Sequence, residues 1–361
     1  MRKLRIAYVT PRYFPHVGGV EYVVRNLAEQ LALKGHDVTV ITGEPHGEKT
    51  TAEKVNKVEV VRVPTYTVGE AYHVPKEKMA IRRLLQESFD VVHTNSIHAV
   101  FSLLPLEVKR LGKSDWKLVM SMHHSTEGYT FLRRLAWKLI WKRYVTHRLG
   151  YVDLVHATSP IEADIVSEHF PSVKGRMVTI PLGIEEDVLN YRWNGRNSDY
   201  LLYCGRLEKY KRIDLAIKAV TYLVKLGHKI RLVIVGSGSI SKKIEKVGKH
   251  LDYISYFPPK SRSEYLKLMS NARAVISLSS AENFNLFLAE AYAIGVPIIA
   301  TRESAAFYPE MGNVNALSPP HVAEAILRVL SFDARDNSGM YAPKTWKKVI
   351  EEFESAYKTI V

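Results

Sequence analysis

Two carboxylates, Glu282 and Glu290, stand eight residues apart inside AVISLSSAENFNLFLAEAYAIGVPIIAT, residues 274–301. The stretch reads as strand, polar loop, helix and strand. Ala274–Leu278 is apolar and β-branched, Ser279–Asn285 is turn-forming, and Leu286–Ile294 is helix-forming. Gly295 and Pro297 then stop the helix before another β-branched run. In an open parallel sheet such loops lie outside the carboxyl ends of the strands, where ligands bind, and a helix start offers free N–H groups to an anion. Glu282 falls in the loop, and Glu290 lies about two turns further on, able to accept hydrogen bonds from a ligand beside the helix. Two carboxylates and one anion site suit a phosphorylated, polyhydroxylated ligand. Arg206 and Lys211 follow the strand Tyr200–Cys204 as G-R-x4-K, so two cations converge on one strand-end loop; with Lys209 and Arg212 adjacent, a solvated basic turn is the other reading. Gly18 and Gly19 precede the helix Val20–Leu33, where backbone N–H groups can approach a phosphate without Cβ obstruction. His123 and His124 follow the strand Leu118–Met122 at its carboxyl end.

These residues carry a resemblance. Glu282, Phe284, Asn285 and Glu290 are similar to the E-x7-E signature, E-x-F-G-x4-E, of the retaining GT-B glycosyltransferases of family 4. Asn285 departs from it, standing where most members carry Gly; Asn is the next residue most tolerant of left-handed backbone angles. IPLGI at residues 180–184 resembles the family's approach to its second domain, with Leu182 in place of Asn. The resemblance spans essentially the whole chain. It implies an α/β GT-B fold of two Rossmann-like, doubly wound parallel-sheet domains facing a central cleft. Residues 1–185 would bind the acceptor, 186–335 the nucleotide sugar, and 336–361 would form a helix crossing back to the first domain. It further implies that Arg206 and Lys211 clamp the leaving diphosphate with Gly18, Gly19 and the N–H groups near Phe284, Asn285, Leu286 and Phe287. Glu290 would hold ribose hydroxyls, Glu282 sugar hydroxyls, and His123 would sit beside the donor sugar. The backbone at Phe257 would lie near the nucleobase. The reaction so implied is hexosyl transfer to an acceptor hydroxyl with no metal and no separate cofactor. A nucleotide-sugar epimerase or hydrolase, or a non-catalytic nucleotide-sugar or membrane-binding module, are the alternatives; the intact Arg206, Lys211, Glu282 and Glu290 disfavour a degenerate binder.

The elements that would position these groups alternate along the chain. Strand-like runs at Arg5–Thr10, Val58–Val63, Val91–Thr94, Leu118–Met122, Leu154–Thr158 and Met177–Pro181 are separated by helical stretches, which predicts a doubly wound parallel sheet. The loop after the first strand is not G-x-G-x-x-G, which argues against a nicotinamide dinucleotide enzyme. Leu182–Asp199 is polar and aperiodic and reads as a hinge. A second set begins at Tyr200. The last stretch, KTWKKVIEEFESAYKTIV, puts Trp346, Val349, Ile350, Phe353, Tyr357 and Ile360 on one helical face.

The 361 residues are 46% apolar and 24% charged, the balance of a soluble globular protein of two to three domains. Cys204 is the single cysteine, which excludes an intramolecular disulfide and Cys-based zinc clusters and fits a reducing cytosol. The N-terminal apolar run is too short for a signal peptide. A net charge of +14 fits nucleic acid, an anionic membrane or a phosphorylated substrate, and the absence of nucleic-acid-binding motifs makes the first the weakest. The segment from Tyr129 to Gly150 carries six Lys or Arg and no acid. At 100° per residue Leu132, Leu135, Ala136 and Leu139 form a face for packing on the sheet, while Trp137, Ile140, Trp141 and Tyr144 form a second apolar face among basic residues that include Arg134 and Lys138. That predicts an interfacial helix meeting the cytoplasmic leaflet and a lipid-linked or lipid acceptor, against the alternative that the tryptophans pack under a neighbouring loop or at a dimer contact.

Overall fold

The computed structural model describes residues 2–16, 18–68, 71–112, 114–124, 135, 137–308, 311–331 and 342–361, the side chains of Val68, Ala71, Tyr72 and Lys138 aside. The chain divides into two units, one of residues 1–158, 162–182 and 346–361, the other of residues 159–161 and 183–345.

In the first unit the strands β1 (Arg5–Thr10), β2 (Asp37–Glu44), β3 (Thr51–Val55), β4 (Val58–Val68), β5 (Ala71–Pro75), β6 (Val91–Asn95), β7 (Lys117–Ser121), β8 (Leu154–Ala157) and β9 (Met177–Thr179) form one sheet. Its order is β3-β4-β2-β1-β6-β7-β8-β9, with β5 on β4. The sheet is parallel except that β3 and β5 run antiparallel to β4, two edge additions that no helical spacer in the sequence announced. β1, β6 and β7 are buried almost throughout because helices cover both faces, although β6 carries the polar His93, Thr94 and Asn95. The order reverses at β1 and β6, from which the chain winds outward in both directions. The helix Gly19–Leu33 buries Val23, Val24, Leu27, Ala28, Leu31 and Ala32, the i, i+3, i+4 pattern of an amphipathic helix, and Gly35 follows at φ 94°.

The terminal helix Trp346–Ile360 belongs to this unit and buries Trp346, Val349, Ile350, Phe353 and Tyr357. Its Tyr357 enters a buried hydrogen-bond chain whose direction is fixed by one carbonyl. Ile180 O can only accept, so His156 Nε2 donates to it at 2.8 Å. His156 Nδ1 then accepts from Ser121 Oγ at 2.7 Å, and Ser121 Oγ accepts from His93 Nε2 at 2.7 Å. His93 Nδ1 accepts from the Tyr357 hydroxyl at 2.6 Å, which accepts from Tyr8 at 2.8 Å. Every member is satisfied, the condition under which a buried polar network specifies one arrangement.

In the second unit β10 (Tyr200–Cys204), β11 (Arg231–Val235), β12 (Ile254–Phe257), β13 (Ala274–Ser277) and β14 (Ile298–Ala300) form an all-parallel sheet in the order β12-β11-β10-β13-β14. It too reverses, between β10 and β13. Among the helices packed on it, Arg262–Ser270 starts with a capping box, Ser261 and Glu264 each bonding the other's backbone N–H. Leu286–Ile294 is stopped by Gly295 at φ 89°.

Candidate active site

The loops after β10 and β13 leave the second sheet at its point of reversal, where an open α/β sheet offers its binding crevice. The first carries Arg206 and Lys211, the second Glu282. Ser280 joins them, donating its backbone N–H to Tyr210 O at 2.9 Å and its hydroxyl to the same oxygen at 3.2 Å. The consequence is a direct ion pair between Lys211 Nζ and Glu282 Oε1, both side chains largely buried. Arg206 stays exposed and donates from Nη2 to the Tyr210 hydroxyl at 2.9 Å.

The arginine loop is held by the loop after β11. Gly236, at φ 145°, lies so close to Gly205 that a Cβ would meet the Gly205 carbonyl oxygen at 1.9 Å. Glu208 accepts from the Ser239 backbone N–H at 3.1 Å and from the Ser239 hydroxyl at 2.5 Å. The Gly236-Ser-Gly238 turn is thus the seat of the cationic loop.

Glu290 lies one turn into the helix Leu286–Ile294 and is 6% exposed. Its Oε2 accepts from the Tyr265 hydroxyl at 2.5 Å, and its Oε1 pairs with Arg262 Nη1 at 2.7 Å. Arg262 uses the rest of its fork on Asp187, at 3.0 and 2.9 Å. Burial pushes the Glu290 carboxyl above its ordinary range, against the Arg262 charge and the Tyr265 hydroxyl. Burial, reinforced by Glu290, raises the Cys204 thiol to about 12, which leaves it an inert neighbour. Tyr265, Arg262 and Asp187 were not singled out from sequence, since partners 25 and 75 residues apart share no spacing signal.

Asn285 caps this helix at φ −103°, ψ 89°, so the left-handed conformation expected from the missing glycine is absent; the side chain instead donates from Nδ2 to Ser277 Oγ at 3.2 Å. Phe284 and Phe287 are buried, while the N–H groups of the first turn, at Leu286 and Phe287, have no partner within the helix. Phe257 ends β12, gives its carbonyl to Gly236 N at 3.0 Å and lies under Lys260.

The first unit holds the remaining candidates. Gly18 is extended and Gly19 opens the helix, but the carboxylate of Glu21, paired with Arg12 at 3.3 Å, stands beside Gly18. His123 follows β7 in the left-handed region, φ 47°, and burial holds its imidazole down at about 3. Its Nε2 is buried without a hydrogen-bond partner among the described residues.

The basic aromatic segment is oriented otherwise than its spacing predicts. Trp137 is 4% exposed, stacked on His124 with centroids 4.8 Å apart, and Trp141 donates Nε1 to Ile97 O at 2.7 Å. Leu135, Leu139 and Ile140 are exposed instead, the last two by 67% and 68%. Neither tryptophan is therefore an outward anchor. The spacing groups Trp137, Trp141 and Tyr144 correctly, but the two faces are exchanged: the aromatic one packs on the core and Leu135 and Leu139 face outward, while Ile140 alone leaves its group, within the π-helical turn Trp137–Trp141. Arg134 and the side chain of Lys138 lie outside the described residues.

Among the described residues no helix is long and apolar enough to cross a membrane. His98, His124 and His169 are contiguous, but His124 spends its nitrogens on the other two rings, at 3.3 and 2.8 Å.

Comparison with known proteins follows the division seen in the structure. The family described as Glycosyltransferase Family 4 matches residues 17–188, and glycosyl transferases group 1 matches 193–331. A GDP-mannose-dependent alpha-(1-6)-phosphatidylinositol dimannoside mannosyltransferase of Mycobacterium tuberculosis is 24% identical, covering 92% of this chain and 89% of the relative. Alpha-monoglucosyldiacylglycerol synthase of Streptococcus pneumoniae is 26% identical over 82% of this chain and 71% of its own. Among solved structures, sucrose-phosphate synthase of Thermosynechococcus elongatus superposes with a TM-score of 0.71 at 18% identity, covering 99% of both chains. HepE of Anabaena, bound to UDP and glucose, gives 0.70 at 12%, covering 99% of this chain and 100% of its own.

Proposed function

The chain belongs to the family 4 glycosyltransferases, and from that premise we propose that it moves a hexosyl group from a nucleoside diphosphate sugar to an acceptor hydroxyl with retention at the anomeric carbon. Its fold is GT-B. The observation that carries the reading is the convergence of Arg206, Lys211 and Glu282 at the reversal of the second sheet, with Glu290 buried on the adjoining helix. In this reading the bond from the anomeric carbon to the diphosphate oxygen breaks, and the acceptor oxygen bonds to the same face. The acceptor proton passes to the leaving phosphate, so no side chain is assigned as general base. Arg206, Lys211 and the N–H groups at Leu286 and Phe287 neutralise the departing charge, a preorganised arrangement of the kind that dominates catalysis of charge separation. Glu282 takes sugar hydroxyls and Glu290 the ribose. His123, Gly18 and Gly19 are assigned by resemblance to the donor sugar and diphosphate.

Two side-chain cations at the leaving group make a divalent metal unnecessary, and turnover should survive EDTA. The donor is found with a thermal-shift panel of nucleotide sugars, because a ligand at a hundredfold its Kd adds about 2.7 kcal/mol of stability. No stabilisation by any nucleotide sugar or nucleoside diphosphate would sink the reading.

The acceptor is proposed to be a lipid or lipid-linked glycan at the inner face of a membrane. Two relatives are named for lipids, one as a phosphatidylinositol dimannoside mannosyltransferase and one as a synthase of monoglucosyldiacylglycerol. The exposed Leu139 and Ile140 are followed by Lys142 and the exposed Arg143 on a segment with no acid, and a cation near an anionic surface contributes about 1 kcal/mol.

A further inference from the structure

Buried polar atoms are almost always paired, and each exception asks for an explanation. Asn95 is such an exception. It is the last residue of β6, 0% exposed, and among the described residues neither its Oδ1 nor its Nδ2 has a partner. It stands where the first sheet reverses, between β1 and β6, the place where open α/β sheets bind ligands outside the strand ends.

Register shows what it faces. Side chains alternate along a strand, so Asn95 shares the face of His93, and its register partner on β7 is Ser121, which bonds His93. On that face Tyr8, Tyr357, His93, Ser121 and His156 are all satisfied. One pleat further toward the carboxyl ends the pairing stops. The loops leaving β6 and β7 run side by side, Ser96 N to Ser121 O at 2.9 Å and Ile97 N to Met122 O at 3.2 Å. They present Asn95 on one side and, two residues beyond Ser121, His123 with its orphaned Nε2.

We propose that Asn95 binds one hydroxyl group of the carbohydrate substrate, an inference that rests on the reading of this chain as a nucleotide-sugar transferase. A hydroxyl both donates and accepts, and so satisfies the amide oxygen and an N–H at once. An anion would leave Oδ1 unpaired, and a cation would meet the Nδ2 hydrogens. The hydroxyl belongs to the transferred hexose or to the acceptor, and steady-state kinetics in each substrate tells which.

The test is the full chain carrying Asn95→Leu, which keeps the branching and removes both polar groups. An amide kept for a ligand is a burden on the free fold, so the variant should melt at or above the wild-type temperature. It should meanwhile lose about 10–100-fold in kcat/KM, the range for one buried hydrogen bond. If the donor carries the hydroxyl, kcat/KM for the nucleotide sugar falls and a donor lacking that hydroxyl is used equally by both proteins; if the acceptor carries it, the acceptor term falls. Transfer by Asn95→Leu within twofold of wild type overturns this inference alone. A melting temperature lowered by several degrees, with activity lost in proportion, assigns the amide to holding the loop and overturns it as well. Wild-type chain inactive with every nucleotide sugar overturns the parent reading and this one with it.

Discussion

Lys211 and Glu282, 71 residues apart in the sequence, form an ion pair in which the cation proposed for a diphosphate and the carboxylate proposed for a sugar neutralise each other. The pair explains how two largely buried charges coexist at the mouth of the second sheet: each is the other's partner, and removing one leaves the other desolvated. A substrate bearing both phosphate and hydroxyl groups can take over each end of the pair while leaving them in contact.

Coupled charges give non-additive mutants. Lys211→Met and Glu282→Gln should each lower kcat about 10²–10³-fold, the range for a lost transition-state donor. The double variant should lose far less than the product of the two, because once one partner is gone the other is misplaced. Strictly multiplicative losses would mean that the two act independently.

Arg262 bridges Asp187 and Glu290, and so fixes the carboxylate assigned to the ribose. Arg262→Lys keeps the charge but loses the planar fork. Isothermal titration with UDP and GDP should show affinity for whichever of the two binds falling about tenfold, or 1.4 kcal/mol. Asp187→Asn should do the same more mildly. Unchanged affinity in both would detach this network from the nucleotide.

Burial holds His98 and His156 at about 4, His123 at about 3 and His124 at about 2, all below the ordinary 6.5. A base with a depressed folded value binds fewer protons folded than unfolded. Its stabilising share is therefore present above about pH 6.5 and is lost as pH falls toward the folded values. All four lie in the first unit, whereas His228, His250 and His321 of the second are exposed. Hydrogen exchange at pH 5 against pH 7 should show protection falling first in β1, β6, β7 and β8. Equal loss in β10, β11 and β13 would contradict this.

The alternation of strands and helices and the helix Leu286–Ile294 were legible because their signals are local. Leu286–Ile294 carries its own stop in Gly295, and the buried runs of β1, β6, β10 and β13 announce central strands. What escaped was of two kinds. The Asp187–Arg262–Glu290–Tyr265 network joins side chains from three separate segments, and no spacing encodes that. Trp137 was read onto the outward face because both faces of its segment are apolar, and spacing alone does not say which of two apolar faces turns to the core.

That reassignment is itself testable. Trp137→Ala should destabilise the first unit by about 3–5 kcal/mol, as large buried aromatics do. Leu139→Glu with Ile140→Glu should leave the melting temperature nearly unchanged and abolish co-sedimentation with anionic vesicles. If the glutamate variant still pellets, the exposed pair is no membrane anchor.

The central claim is that the loop after β10 stabilises a departing nucleoside diphosphate. It is tested by measuring acceptor-dependent release of that diphosphate from the nucleotide sugar that the thermal-shift panel selects, in EDTA, for the wild type and for Arg206→Ala. Arg206 is exposed and bonds only the Tyr210 hydroxyl among the described residues, so its loss should spare the fold. The account predicts wild-type release undiminished by EDTA and a fall of about 10²–10³-fold in kcat for the variant. Release within threefold of wild type by Arg206→Ala, or wild-type release that requires added Mg²⁺ or Mn²⁺, would contradict it.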